Sequence, residues 1–281
     1  MKERFFNILF LIAVLVGLLS LLVLLIDVIS DGYKHLTWDF FTNYASRKAE
    51  KSGILAPLAG TLWLISLTAL FTIPIGVSTA LYLEEFATDN WFTKLIKLNV
   101  ANLAGVPSII YGLLGLAFFT YTLSLGKSIL AGALTMTLLV LPIVIIASQE
   151  AIRTIQPSLK DAAYALGATK WEVSKRVVIP HSIGGIMSGI ILAMSRAVGE
   201  TAPILIISSL VFITMVPSGP LDRFTILPLQ IYTWAAFPSD DFRAIASTGI
   251  IVLLFILITL SLIHISEPTR QAEISYAVFC L

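Results

Sequence analysis

The sequence predicts an all-α polytopic membrane protein with about six transmembrane helices. Hydrophobic residues make up 57% of the 281 residues, charged residues only 12%, and the mean hydropathy is +0.93. Soluble domains carry about 25% charged residues, so water cannot be the main solvent of this chain. Backbone groups in lipid must be satisfied within the protein, and the sequence lacks the ten-residue alternation of a membrane β-strand. The spans are therefore expected to be helices.

Six apolar stretches approach the roughly 20 residues that a helix needs to cross a bilayer. They are residues 5–29, 58–83, 99–121, 127–148, 182–213 and 244–262. The sequence thus predicts an N-terminal span with a first external loop over 1–57 and a transmembrane core over 58–262. An even number of spans places both termini on the same side of the membrane.

The distribution of basic residues predicts which side that is. Lysine and arginine are enriched in cytoplasmic loops near the ends of the spans. Nine basic residues lie in the segments on the side of the termini, and seven lie in the segments on the other side. Five of the nine fall within the loop 149–181. We therefore expect this loop and both termini to be cytoplasmic.

The loop 149–181 has the sequence of two short helices joined at a fixed corner. Pro157 suits the first position of a helix, and Gly167 suits the left-handed residue that follows the end of one. The first helix should therefore stop at Leu166. A helical hairpin of this kind presents a rigid projection, which could dock into the cleft of a partner or lie on lipid headgroups as an interfacial helix.

The second helix of this hairpin is predicted from its own start signal. Thr169 and Glu172 have the spacing of a capping box, in which the hydroxyl and the carboxylate each accept a hydrogen bond from a backbone amide. The helix should therefore begin directly after Thr169. Since proline cannot donate to the helical ladder, we expect this helix to end before Pro180.

The same loop resembles the EAA loop of ABC importer permeases. That pattern is Glu-Ala-Ala, three residues, Gly, nine residues and Ile-x-Leu-Pro, and residues 161–180 match its spacing, with Asp161 in place of the usual Glu. The resemblance implies a coupling helix that is seated in a groove of a separate ATP-hydrolysing subunit. The residues that it assigns to this coupling are Asp161, Ala162, Ala163, Gly167 and Ala168.

Two charged residues lie deep inside the fifth apolar stretch. Arg196 and Glu200 are four residues apart, so they share a helical face and can form an ion pair. An arginine near the bilayer centre costs about 2.5 to 3.5 kcal/mol on insertion scales, which favours a functional role. Gly199 and Pro203 are expected to break the helix here, and beside Thr201 the guanidinium could bind an oxyanion in a substrate path. The alternative is a structural salt bridge within the bundle.

Residues 195–203 read Ser-Arg-Ala-Val-Gly-Glu-Thr-Ala-Pro, which resembles a signature of the permeases of phosphate ABC importers. Residues 102–112 and 225–234 resemble two further segments of these permeases. The short first external loop favours the PstA type over the PstC type. The resemblance covers about residues 5–260 and implies a bacterial plasma membrane protein. Its implied partners are a second permease of the PstC type, two ATPase subunits and an extracytoplasmic phosphate-binding protein.

The sequence contains no pattern for chemistry of its own. The histidines lie in separate segments without metal-ligand spacing, and no hydrolytic triad is apparent. We therefore expect no metal and no cofactor in this chain, with ATP bound by a partner subunit, and no enzymatic activity. A net charge of +1 gives no polyanion surface, so no nucleic acid partner is expected beside the lipid bilayer. The alternatives are a permease for molybdate or sulfate, or a self-contained carrier or channel.

The final segment, residues 261–281, differs in character from the rest. Its sequence resembles a translated sequencing-adapter read-through rather than the end of a permease. The apolar residues 244–260 alone would give about 25 Å of helix against a hydrocarbon core of roughly 30 Å. We therefore expect a non-native tail that has replaced a continued apolar run. The alternative is a genuine tail in which residues 262–265 complete the helix.

Overall fold

The structure is a computed structural model that describes residues 2–208 and 213–279, with side chains described for 6–208 and 213–261. Helices are the only regular elements in this described part of the chain. In chain order they are α1 (Lys2–Gly32), α2 (Trp38–Thr42), α3 (Leu55–Leu81), α4 (Trp91–Ala104), α5 (Ser108–Gly115), α6 (Ile129–Arg153), α7 (Pro157–Ala165), α8 (Lys170–Val173), α9 (Ile179–Gly199), α10 (Ala202–Ser208), α11 (Leu227–Ala235) and α12 (Asp240–Phe279). Three π-helical segments extend or join them at Tyr82–Phe86, Leu116–Thr122 and Ser174–Val178.

Within the described residues, the prediction of about six spans is confirmed. Five continuous helical segments are long and apolar enough to cross a membrane, and a bent pair of helices makes a sixth. The five are Phe6–His35, Leu55–Phe86, Ile129–Arg153, Lys170–Gly199 and Asp240–Ser261. The chain is therefore a multi-pass membrane protein.

The third predicted span, 99–121, is wrong as a continuous helix. Helices α4 and α5 meet at an angle of 102°, so they cannot cross the bilayer as one rod. Pro107 lacks an N–H and disfavours helical geometry at the preceding residue, which explains why α4 ends before it. The hydroxyl of Tyr111 donates to the Leu103 carbonyl oxygen at 2.8 Å and so fixes the bend. The second helical part of this pair, Ser108–Thr122, begins directly after Pro107.

The fifth predicted span, 182–213, is also corrected. Its helix begins earlier, at Lys170, and ends at Gly199, and α10 follows after a short break. The predicted end before Pro180 is wrong, because the π-helical segment Ser174–Val178 carries the helix past the proline. A proline ring clashes with the carbonyl four residues earlier, and the wider π-helical turn accommodates it. Residues 209–212 lie outside the described part.

Helices α3, α6 and α9 form the centre of the bundle, and α6 is the most buried of the candidate spans. Small residues allow close approach on both sides of α6. A Cβ atom added to Gly189 would lie 2.5 Å from the Cβ of Ala147, and one added to Gly76 would lie 2.8 Å from Val144. Such contacts between small residues are the usual basis of helix packing in membranes, where no hydrophobic effect drives helices together.

The first span is held to this core mainly at its end near Gly32. Its apolar side chains are almost all exposed in the chain, and Val28 and Gly32 are the buried exceptions among its described side chains. The Thr248 hydroxyl of α12 donates to the Gly32 carbonyl oxygen at 2.9 Å. A side chain at Gly32 would meet the backbone of α12 at 2.8 Å, so this helix crossing requires glycine.

The last helix continues through the segment that we expect to be non-native. Helix α12 extends from Asp240 to Phe279, and its segment Asp240–Ser261 is apolar enough to cross a membrane. Helical backbone does not distinguish a native from a non-native sequence, so the expectation for 261–281 stays a prediction. Residues 280–281, with the single cysteine, lie outside the described part.

Candidate translocation and coupling sites

The predicted ion pair of the fifth span is present at the break that ends α9. The Nε atom of Arg196 lies 3.4 Å from Oε1 of Glu200. The Glu200 side chain is only 18% exposed, whereas that of Arg196 is 59% exposed. Glu200 leaves the helix with φ −75° and ψ 118°, which places the pair at the end of the helix rather than in its middle. The guanidinium is therefore held on one side and accessible on the other.

The other residues predicted for this break have different roles. The Thr201 hydroxyl lies 3.5 Å from the Gly199 carbonyl oxygen, at the limit of a hydrogen bond. A Cβ atom added to Gly199 would meet nothing within 4 Å, so open space lies beside the backbone at this point. Pro203 instead packs against α5, because a Cβ atom added to Gly112 would lie 2.8 Å from its Cα. The break between α9 and α10 consists of Glu200 and Thr201, directly after Gly199, whereas Pro203 is the second residue of α10 and not part of the break.

Two of the three motif segments identified in the sequence, 102–112 and 195–203, are in direct contact, and the third begins directly after a residue bound by the end of α10. Gly112 brings the segment 102–112 into contact with Pro203. The hydroxyl of Ser208, at the end of α10, donates to the Phe224 carbonyl oxygen at 2.5 Å. The next residues continue into the segment 225–234, where the Leu227 amide donates to the Thr61 hydroxyl of α3 at 2.9 Å. The segments that carry the resemblance therefore build one structural unit.

The hairpin formed by α7 and α8 has the predicted geometry at its corner. Helix α7 begins with Pro157 and ends before Leu166, and Gly167 has φ +85°. The capping box is complete, since the Thr169 amide donates to Glu172 at 2.9 Å and the Glu172 amide donates to the Thr169 hydroxyl at 3.3 Å. These local signals fix the corner between the two helices of the hairpin.

The predicted coupling residues fall on two sides of this hairpin. Asp161, Ala162 and Gly167 are exposed, whereas Ala163 and Ala168 are partly buried against the core. Leu166 was not predicted as a coupling residue, and its side chain is 90% exposed. This is the largest value among the large hydrophobic side chains that the structure describes. The projecting corner therefore has an apolar side chain at its tip and small residues along its exposed side.

A cluster of ion pairs behind the hairpin was missed by the sequence reasoning. Its centre is the π-helical segment Tyr82–Phe86 that continues α3. Lys160 of α7 places its Nζ atom 2.5 Å from Oε1 of Glu85, whose side chain is 8% exposed. The rings of Phe86 and Trp171 are 6.4 Å apart, which adds a contact from α8. Both helices of the hairpin thus contact the end of α3.

The neighbouring carboxylate holds the bundle rather than the hairpin. Glu84 accepts hydrogen bonds from Gln149 at 2.7 Å and from Arg153 at 2.9 and 3.0 Å. The Nζ atom of Lys97 in α4 lies 3.1 Å from the same carboxylate. Two adjacent acids at the end of an apolar stretch were the signal available in the sequence. Apart from Lys97, their partners lie 65 or more residues away, so no local pattern identified them.

Among the residues that the structure describes, no group of three or more histidine, cysteine, aspartate or glutamate side chains could hold a metal ion. Helices, a projecting hairpin and a charged break within a span are the features of a transport component. Their arrangement defines the class of this protein as a membrane permease with the type I ABC importer fold. The comparisons with known proteins agree with this class.

Residues 72–271 match the family described as binding-protein-dependent transport system inner membrane component. The chain belongs to this family. It is therefore a transport subunit rather than an enzyme, and the family implies an ATPase and a substrate-binding protein as partners. The orientation of the termini is not given by this membership and stays a prediction.

Several relatives resemble the chain over most of its length. It is 36% identical to the phosphate transport system permease protein PstA 1 of Mycobacterium tuberculosis (strain CDC 1551 / Oshkosh), covering 78% of this chain and 72% of the relative. It is 33% identical to the phosphate transport system permease protein PstA of Haemophilus influenzae, and the match covers 88% of this chain and 86% of the relative. A probable ABC transporter permease of Bacillus subtilis, YqgI, is 35% identical over 70% of this chain, and the match spans 65% of that protein.

Solved structures of ABC transporters share the fold. A chain of a bacterial alginate ABC transporter, solved with an alginate-bound periplasmic protein, superposes with a TM-score of 0.65 over 94% of this chain and 93% of its own. A chain of the MetNI methionine ABC transporter in an inward-facing conformation superposes with a TM-score of 0.59, covering 73% of this chain and 89% of its own. The identities are 17% and 15%, so these likenesses concern the fold alone.

Proposed function

We propose that this chain is the PstA-type permease of an ATP-driven phosphate importer in a bacterial plasma membrane. It forms half of the translocation path together with a second permease of the PstC type. Two ATPase subunits bind on the cytoplasmic side, and an extracytoplasmic phosphate-binding protein delivers the substrate. Both termini and the hairpin Pro157–Val173 lie in the cytoplasm in this arrangement.

One observation carries the choice of substrate class. Arg196 presents an accessible guanidinium at a helix break inside a membrane span, while Glu200 holds it from one side. A guanidinium offers a planar fork of donors that matches the oxygens of phosphate, and it stays protonated inside a membrane protein. The ion pair lowers the cost of keeping this charge among apolar helices. The relatives named as phosphate transport permeases support phosphate over other oxyanions.

The hairpin supplies the coupling to ATP hydrolysis in this proposal. Its apolar tip at Leu166 and its small exposed residues Asp161, Ala162 and Gly167 fit the groove of an ATPase subunit. Closure of the two ATPases then moves both hairpins, and the bundle alternates between outward and inward access. No covalent chemistry is required of this chain, and ATP remains bound to its partners.

Uptake by the reconstituted complex tests the proposal. The Arg196→Lys substitution keeps the positive charge but loses the fork, and Glu200→Gln removes the partner. Both variants are expected to assemble normally and to lose phosphate uptake. A matched control is Arg243→Lys, because Arg243 also forms an ion pair at 3.4 Å, with Asp240, but lies at the exposed start of α12.

Two results would count against this function. Loss of assembled complex in both variants, with normal uptake per assembled complex, would identify the pair as a structural salt bridge. Uptake of sulfate or molybdate in preference to phosphate by the wild-type complex would assign a different oxyanion. Uptake by the purified chain without any ATPase would instead identify a self-contained carrier.

A further inference from the structure

Two adjacent carboxylates at the end of α3 hold two different parts of the molecule. Glu84 is bound by Gln149 and Arg153 of α6, whereas Glu85 is bound by Lys160 of α7. Successive residues of a helix point about 100° apart, so neighbours can face separate partners. The end of α3 therefore lies between the transmembrane bundle and the cytoplasmic hairpin and contacts both.

The backbone conformation at the end of α3 allows successive residues to face different helices. The segment Tyr82–Phe86 is π-helical, and the Ala87 amide donates to the Tyr82 carbonyl oxygen at 2.8 Å, five residues back. Such π-helical turns are rare and frequently occur at functional sites. The turn brings Glu84, Glu85 and Phe86 into contact with α6, α7 and α8 in succession.

The contact to the hairpin is nearly enclosed. The Glu85 side chain is 8% exposed and that of Lys160 is 23% exposed. A charge in such a position is strongly destabilising when its partner is removed, because solvent cannot replace the partner. This pair therefore resists separation more than an exposed surface ion pair does, and a force on α7 is passed on to α3.

We propose that Glu85 and Lys160 form the contact that transmits movement of the hairpin to α3, with Glu84 fixing the end of α3 to α6. Both glutamates are positioning residues in this role. The inference rests on the proposed function, since it assigns to the hairpin the movement that ATP binding drives. Without this contact the hairpin still docks, but its movement no longer displaces the helix that lines the bundle.

The test uses the full complex with its ATPases and binding protein in phospholipid vesicles. In the Glu85→Gln variant, ATP hydrolysed per phosphate transported is expected to rise by about tenfold, within the range usual for coupling between sites. The ATPase should remain associated in normal amounts. The double variant Glu85→Lys with Lys160→Glu restores the pair with its charges exchanged and should bring the ratio back towards that of the wild type.

Glu150→Gln is the matched control. Glu150 is an exposed carboxylate of α6 that pairs only with Arg153 of its own helix among its described contacts, so this variant should keep the wild-type ratio. A wild-type ratio in Glu85→Gln would overturn the proposal. The proposal would also be overturned if less complex assembled but the assembled complex kept the wild-type ratio, because the ion pair would then only stabilise the structure.

A second measurement is independent of the transported substrate. Tyr82, at the end of α3 beside the hairpin, is 58% exposed, and a cysteine placed there reports on movement of α3 through its rate of labelling. A non-hydrolysable ATP analogue should change this rate in the wild-type background but not together with Glu85→Gln. The same change in both backgrounds would refute the transmission role. If the wild-type complex moves no phosphate while this difference persists, the proposed substrate fails and the transmission role stands.

Discussion

Replacing Gly167 by valine is expected to weaken the attachment of the ATPase without disturbing the bundle. Gly167 has φ +85°, a conformation that side-chain-bearing residues rarely adopt. A Cβ atom added there would meet nothing within 4 Å, so the substitution creates no steric overlap with other residues. The whole effect must therefore come from backbone strain at the corner of the hairpin.

The size of this effect follows from the conformation. A left-handed conformation costs a non-glycine residue about 1–2 kcal/mol, and a β-branched side chain lies at the upper end. In the free permease the hairpin can relax out of the strained conformation. It must return to that conformation to dock, so the strain energy reduces the affinity for the ATPase. This corresponds to a dissociation constant that is about 5- to 30-fold larger.

Titration of the purified ATPase against the permease pair in nanodiscs measures this change. Gly126→Val is the matched control, because Gly126 also has a positive φ, +64°, and open space around it but lies outside the hairpin. This control should bind the ATPase like the wild type. Unchanged affinity of Gly167→Val, or an equal loss in Gly126→Val, would refute the reasoning.

Three further predictions concern the bundle, the loop that precedes α11 and the C-terminus. Gly189→Leu should prevent folding of the core, because its side chain would overlap Ala147, and little intact protein should be recovered from membranes. Hydrogen bonds from the Ser218 hydroxyl and from the amides of Ser218 and Gly219 lower the pKa of Asp222 below its ordinary value. The contribution of this carboxylate is complete above the pKa of the unfolded chain and is lost as the pH falls through the lower folded value, so protection of the Ser218 amide against hydrogen exchange should be lost only in solutions more acidic than the ordinary pKa of an aspartate, a change absent in Asp222→Asn. Sequencing of the native gene should replace residues 261–281 with a continued apolar run, and recovery of the same tail from genomic DNA would contradict this.

The parts of the structure that the sequence predicted well depend on contacts within a few residues. The corner at Gly167, the capping box at Thr169 and the pairing of Arg196 with Glu200 are all local, so their geometry follows from residue type and spacing. The same holds for the number of spans, which depends on apolar length alone. Pro180 was misinterpreted because a π-helical turn, which no local signal announces, carried the helix past it.

The features that escaped prediction depend on distant partners. The angle of 102° between α4 and α5 is fixed by a hydrogen bond of Tyr111 and by packing on α10, neither of which is visible in a single segment. Glu84 and Glu85 read as an ordinary polar end of a span until α6 and α7 are placed beside them. The sequence therefore predicted the interruption of the helix after Gly199 but not the distant contacts that hold the hairpin against α3.

The first span shows how unevenly the fold constrains its own sequence. Over most of its turns, α1 makes few contacts within the chain, so substitutions that keep it apolar and of the same length leave the fold of this subunit intact. At Gly32, one missing methyl group decides whether α12 can approach. Random exchange among leucine, isoleucine, valine and phenylalanine should thus be accepted along the helix, whereas even alanine should be rejected at its end. A single glycine therefore specifies where α1 is attached to α12, although most other residues of α1 can be exchanged for other apolar residues.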